Sequence, residues 1–333
     1  MTSVQTELVR WVEVHRLAVA GREAGIAREV GDRVGLVWLA RSRFADAARL
    51  AGLTLTLGED ARALYQLGWA KDATGDRTAA LAAYGQALRL YRAAGDRAYE
   101  AATLSAIGLV HDNLGERQRA LEYYRQALPV AQEVGDRAGE ARTLNSIGLV
   151  YDNLGQRQRA LEYYGQALPI RREVGDRAGE AITLSNIGEV YRGLGEPQRA
   201  LEYYRQALPI QREVGDRAGD AATLSNIGLA YNGLGEPQRA LEYYGQALPI
   251  TREVGNRAGE AVARYNVAMI HRAQGDLGQA VAELEQVVEL DRQVRDPALQ
   301  SDTEVLHRVR QELANSERGR SLRSSESGPS TGV

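Results

Sequence analysis

Residues 181–220 read AITLSNIGEVYRGLGEPQRALEYYRQALPIQREVGDRAGD, and residues 221–260 read AATLSNIGLAYNGLGEPQRALEYYGQALPITREVGNRAGE. The two stretches agree at about four residues in five, so the chain is built on a forty-residue unit, and a fixed period of this size marks one supersecondary motif stacked many times. Within 181–220, Leu184, Ile187, Gly188 and Tyr191, and then Ala200, Leu201, Tyr204, Ala207 and Leu208, have the i, i+3, i+4, i+7 spacing of amphipathic helices. Between them, Gly195 suits a left-handed helix end and Pro197 the first turn of the next helix. Each unit therefore reads as a helical hairpin, with a first helix (A) and a second (B).

Moving outward, Gly-Asp-Arg recurs at Gly95, Gly135, Gly175 and Gly215, and Gly255-Asn256-Arg257 continues the series. The glycine ends a B helix and the Asp caps the next A helix by accepting backbone N–H bonds. Pro129, Pro169, Pro209 and Pro249 fall inside the B helices, where each removes one backbone bond at a cost of about 3 kcal/mol, so a kink is expected before the helix continues to the glycine. One hairpin buries about eight apolar side chains at about 1.5–3 kcal/mol each, against about 1–2 kcal/mol per residue for ordering the chain. It does not fold alone; stability must come from stacking.

These residues carry a resemblance. Gly188 with Tyr191, then Ala200, Tyr204 and Ala207, match the small and aromatic positions of the tetratricopeptide repeat. The set recurs as Gly148, Tyr151, Ala160, Tyr164, Ala167 and as Gly228, Tyr231, Ala240, Tyr244, Ala247. The unit is six residues longer than the common 34-residue form and resembles the repeats of kinesin light chains and of bacterial signalling ATPases. The resemblance implies an all-α, right-handed α-solenoid. Six repeats are expected over 61–297 (61–100, 101–140, 141–180, 181–220, 221–260 and 261–297), after degenerate helical repeats in 1–60. A capping helix over 298–313 and a disordered Ser/Arg/Gly tail over 314–333 are expected to follow. In the N-terminal part, Glu29-Val30-Gly31-Asp32-Arg33 repeats the ending of a unit. Trp11-Val12-Glu13-Val14-His15 resembles the first repeat after the ATPase module of NB-ARC-type STAND regulators, although no Walker A loop is present: Lys71, the single lysine, lies in an A-helix pattern.

A formal charge of −3 and a pI near 6.0 leave no basic field for non-specific nucleic-acid binding. The absence of cysteine removes thiolate nucleophiles and Cys-ligated metals and fits a reducing, cytoplasmic compartment. No signal peptide and no apolar run of about 20 residues is found, so no membrane association is expected. His111 and His271 occupy the place of Tyr151, Tyr191 and Tyr231 and read as packing residues; no Gly-x-Ser-x-Gly elbow appears. Glu162, Glu202 and Glu242 are read as surface ion-pair partners of Arg159, Arg199 and Arg239. No catalytic set, cofactor or metal is expected.

What remains is a groove. The resemblance implies that A helices line the concave side, and with each unit numbered from its first residue, core positions 4, 7, 8 and 11 leave 2, 5, 6, 9, 12 and 13 facing the ligand. This selects Tyr65 and Trp69 in the first repeat, then Arg142, Asn145, Leu149, Asp152 and Asn153. Further along it selects Ile182, Asn186, Glu189 and Arg192, then Asn226, Leu229 and Asn232, and finally Asn266, Met269 and Arg272. Asn186, Asn226 and Asn266 form an amide ladder able to pair with an extended peptide backbone. The expected function is a non-enzymatic scaffold for a protein or extended peptide. Open alternatives are the sensing arm of a STAND-type ATPase, a receptor for a small signalling peptide, and weak self-association.

Overall fold

The computed structural model describes residues 3–326. The described residues form sixteen α-helices and no strand, the all-α helical-repeat fold that the period implies. The first three are α1 (Ser3–Ala20), α2 (Ala24–Ala40) and α3 (Phe44–Leu55). The hairpins follow as α4 (Ala61–Ala73) with α5 (Arg77–Ala94), α6 (Arg97–Asn113) with α7 (Arg117–Glu133), and α8 (Arg137–Asn153) with α9 (Arg157–Glu173). Then come α10 (Arg177–Gly193) with α11 (Pro197–Val214), α12 (Arg217–Gly233) with α13 (Pro237–Glu253), α14 (Arg257–Ala273) with α15 (Leu277–Val294), and α16 (Leu299–Glu326). The chain divides into two compact units, Met1–Gly175 and Asp176–Val333.

The punctuation is a glycine at every twentieth position from Gly75 to Gly275, each with φ between 67° and 84°. Positive φ is strained for residues with a Cβ, so glycine ends the helix there. Restart follows at once: Asp136 accepts from the Gly139 N–H at 2.8 Å, and Asp216 from the Gly219 N–H at 2.9 Å. The B helices run unbroken through Pro129, Pro169, Pro209 and Pro249. Tyr124, Tyr164, Tyr204 and Tyr244 are the largest fully buried side chains, and each ring lies against an A-helix glycine: Gly108, Gly148, Gly188 and Gly228. A Cβ on Gly188 would stand 2.6 Å from Tyr204 Cε1, so the glycine is what lets the two helices close on the ring.

The four hairpins from α6/α7 to α12/α13 are also clipped between the start of the A helix and the end of the B helix. Arg97 meets Glu133 at 2.7 Å, Arg137 meets Glu173 at 2.8 Å, Arg177 meets Glu213 at 2.8 Å and Arg217 meets Glu253 at 2.7 Å. The arginines hold Glu173, Glu213 and Glu253 below the usual carboxylate range, but all three are exposed and each clip contributes little.

Two expectations are corrected. Glu29–Arg33 does not end a unit; it lies inside α2. Gly31 is buried there for packing, since a Cβ would approach Thr54 Oγ1 at 2.8 Å and His15 Cδ2 at 3.3 Å. The same tripeptide serves a different end because α1 and α3 close over it. The segment after Leu313 is not unstructured as far as Glu326, because α16 runs on to that residue. No proline lies between Pro297 and Pro329, and once a helix is nucleated each added residue costs little. Residues 327–333 lie outside the described part. Within 299–313, Leu306 and Val309 are buried against Ala280, Leu284 and Val288.

His15 is buried, with Nε2 2.8 Å from Thr54 Oγ1, and burial pulls its pKa below 6.5. Below pH 6.5 the unfolded chain takes up a proton that the folded chain refuses, so stability should fall as pH drops through this range. His15→Gln is expected to flatten that dependence in thermal melts between pH 5 and pH 7.5, while an unchanged slope would remove His15 as its source.

Candidate functional site

In the first unit, the exposed faces of α4, α6 and α8 carry Trp69, Leu109 and Leu149 at position 9 of three successive repeats. These apolar side chains are 40%, 46% and 38% exposed. Beside them opens a cavity of about 510 Å³, lined by Tyr65, Trp69, Asp72, Ala102, Ser105, Ala106, Leu109, Ala131, Asp136, Arg142 and Ser146 among others. The cavity exists because small residues converge: position 31 is Ala131 here, whereas Arg171, Gln211 and Thr251 are buried at the equivalent places of later repeats. Tyr65 is half-buried, its hydroxyl pKa pushed up by burial, and its ring packs edge-on to Tyr84 at 5.5 Å.

Of the residues expected in this unit, Tyr65, Trp69 and Arg142 line the cavity, and Leu149 and Asn153 are exposed. Asp152 is half-buried, 3.9 Å from Arg157. Asn145 is 9% exposed, because position 5 sits closer to the neighbouring helices than position 9 does. Leu109 and the alanine and serine walls were not selected, although Leu109 occupies the same position 9 as Trp69 and Leu149.

In the second unit, Ile182 and Asn232 are exposed, Asn186, Asn226 and Leu229 are half-buried, and Glu189 pairs with Arg192 at 3.5 Å. Asn266 donates from Nδ2 to the Val262 carbonyl at 2.9 Å. Met269 packs into the cluster with Leu306 and Val309, and Arg272 pairs with Glu312 of α16 at 2.5 Å. The terminal helix thus takes up two residues expected on the binding face.

A second cavity, about 220 Å³, lies at the corner of α14, α15 and α16 and is lined by Asn266, Asp291, Asp296 and Asp302 among others. Burial, then the neighbouring carboxyl of Asp302, pushes Asp291 up to about 6. Asp291 therefore holds its proton in the folded state at pH values where the unfolded chain has lost it, and stability should fall as pH rises from about 4 to about 6. Asp291→Asn should raise stability at pH 7.5 by about 1–2 kcal/mol and leave it unchanged at pH 4, as read by urea unfolding; equal effects at both pH values would contradict this.

Of the four histidines, His15 and His111 are buried, His271 is half-buried and His307 is exposed. His111 is buried, stacks on Tyr123 at 5.2 Å and places Nδ1 2.7 Å from Glu116 Oε2, as Tyr151, Tyr191 and Tyr231 stack on Tyr163, Tyr203 and Tyr243. Arg199 and Arg239 pair with Glu196 and Glu236 at the helix start, and Arg159 with Gln156, rather than with Glu202, Glu242 and Glu162. Among the described residues no group of three His, Cys, Asp or Glu could hold a metal ion, and no helix is long and apolar enough to cross a membrane.

A tetratricopeptide repeat model matches residues 99–173, 170–213 and 219–293, and a second tetratricopeptide repeat model matches 61–93. The chain belongs to the tetratricopeptide repeat family. No curated protein matches it. Among solved structures, this tetratricopeptide repeat chain is similar to the STAND protein with a tetratricopeptide repeat sensor from Pyrococcus horikoshii. The TM-score is 0.70 at 16% identity, over 85% of this chain and 44% of that one. It is also similar to the apo form of RapI, with a TM-score of 0.65 at 17% identity over 81% of this chain and 99% of that one. The Rap protein complexed with competence and sporulation factor gives 0.61 at 14% identity, over 93% and 99%. At these identities the likeness is one of fold.

Proposed function

We propose that the chain is a non-enzymatic binding scaffold whose A-helix faces hold a peptide or an extended segment of another protein, anchored in the cavity between α4, α6 and α8. The observation that carries the reading is the exposed row Trp69, Leu109 and Leu149 beside a cavity of about 510 Å³: exposed apolar side chains repeated at one position on successive helices are otherwise a liability. A cavity of this size suits one large side chain, and buried aromatic or aliphatic anchors dominate interface energies. The structural likeness to a Rap conjugation gene regulator in complex with the Phr* peptide is compatible with this use of the fold.

The test is binding by the whole chain of peptides selected from a random dodecapeptide phage library, followed by fluorescence anisotropy. Trp69→Ala with Leu109→Ala should weaken the selected peptides at least thirtyfold, about 2 kcal/mol. Glu122→Ala, on the exposed B-helix face, should leave affinity intact. Substituting Asn186, Glu189, Arg192 and Asn226 together tests the second unit's face in the same assay. Unchanged affinity in the first variant would withdraw the face assignment. The alternative, the sensing arm of a STAND-type ATPase acting in trans, draws on the fold shared with the STAND sensor and predicts co-purification with an ATPase subunit.

A further inference from the structure

One row of charge on the first unit is unlike anything on the second. Position 12 is Asp72 in α4, Asp112 in α6 and Asp152 in α8, but Arg192, Asn232 and Arg272 in the later A helices. Positions 9 and 12 are one helical turn apart, so in the first unit this aspartate row runs beside the exposed row of Trp69, Leu109 and Leu149, about 4.5 Å away along the helix axes.

Asp72 and Asp112 are only partly compensated. Burial pushes Asp72 and Asp112 above the usual carboxylate range, against the opposing pull of Arg77 and a hydrogen bond from Asn113 on Asp72 and of Arg117 on Asp112. One Asp72 oxygen, Oδ1, is buried with no donor. Asp152 has its Arg157 at 3.9 Å. The two cations on the same face are already engaged: Arg62 with Asp32 at 2.8 Å, and Arg142 with Asp136 at 4.0 Å. A half-desolvated carboxylate gains from an added cation that also donates hydrogen bonds.

Resting on the peptide-binding reading above, we infer that the segment held by the first unit is a basic one: an extended peptide that sets a bulky apolar side chain in the cavity and arginine or lysine side chains along Asp72, Asp112 and Asp152. Packed helices lie about 8–10 Å apart and an extended chain rises about 3.3 Å per residue, so one step along the row corresponds to about three peptide residues. The recognised pattern is a large apolar residue with basic residues spaced about three apart.

The experiment is panning of a random dodecapeptide phage library against the full chain, then anisotropy on the selected peptides and on their Arg/Lys→Gln analogues. Peptides enriched in a large apolar residue together with Arg or Lys, whose Gln analogues bind at least tenfold more weakly, are the expected result. Affinity should also fall several-fold between 50 and 300 mM salt. Asp72→Asn, Asp112→Asn and Asp152→Asn combined should abolish the difference between each peptide and its Gln analogue. The analogue comparison on the unaltered protein keeps the inference testable should that variant unfold. Selected peptides that depend on the apolar residue but show no basic enrichment, or an acidic one, overturn this inference and leave the scaffold reading standing. Failure to enrich any peptide overturns both.

Discussion

Tyr204→Ala is expected to destabilise the second unit by about 3–5 kcal/mol, more than any surface change in the chain. The ring is fully buried and fills the space that Gly188 leaves on the facing A helix, so truncation opens a cavity that two regular helices collapse into poorly. The reverse change, Gly188→Val, puts a Cβ where Tyr204 Cε1 stands 2.6 Å away and should cost about 1–3 kcal/mol through overpacking. Combining Tyr204→Ala with Gly188→Leu should recover part of the loss, because the new side chain refills the vacated volume. Urea unfolding together with amide exchange of α10 and α11 provides the measurement, since a repeat array need not unfold in one step. A loss below about 1 kcal/mol for Tyr204→Ala would mean that the glycine–tyrosine contact is not what closes the hairpin.

The second large effect concerns length. Removing residues 201–240 joins Ala200 to Leu241 and rebuilds a B helix in which Tyr244, Ala247 and Ile250 stand where Tyr204, Ala207 and Ile210 stood. Every remaining helix then meets a near-identical partner, so the shortened protein should stay fully helical and lose only a few degrees of thermal stability. Removing residues 201–220 instead fuses the start of a B helix to Ala221 of an A helix and destroys the alternation. The second unit should then lose most of its helical circular dichroism at 25 °C. Equal behaviour of the two deletions would deny that the hairpin is the unit of stability.

Most of the fold was legible because the signals that set it are local. Gly195 at φ 77°, Pro197 in the first turn of α11 and Asp216 capping α12 each act within four residues, and the repetition fixes their register. Glu29–Arg33 misleads because the same letters sit where α1 and α3 cover the helix, and burial rather than the glycine decides whether it ends. The extent of α16 was hidden by a composition poor in apolar residues, which speaks to packing and not to backbone conformation. The cavity was hidden for another reason. It is made by what is missing, at Ala102 and Ala106 of α6 and Ala131 of α7, and no one of these alanines means anything singly. Comparing repeats 181–220 and 221–260 directs attention to residues that vary there, while the cavity lies in the repeats before them.

The contacts that hold each unit together join helices that are neighbours in the chain, or next but one. Synthesis therefore meets no long wait: when a hairpin leaves the ribosome, the surface it docks on has been made within the preceding forty residues or so. Near-identical repeats risk pairing with the wrong copy, and order of emergence offers a safeguard that refolding of the whole chain from denaturant lacks.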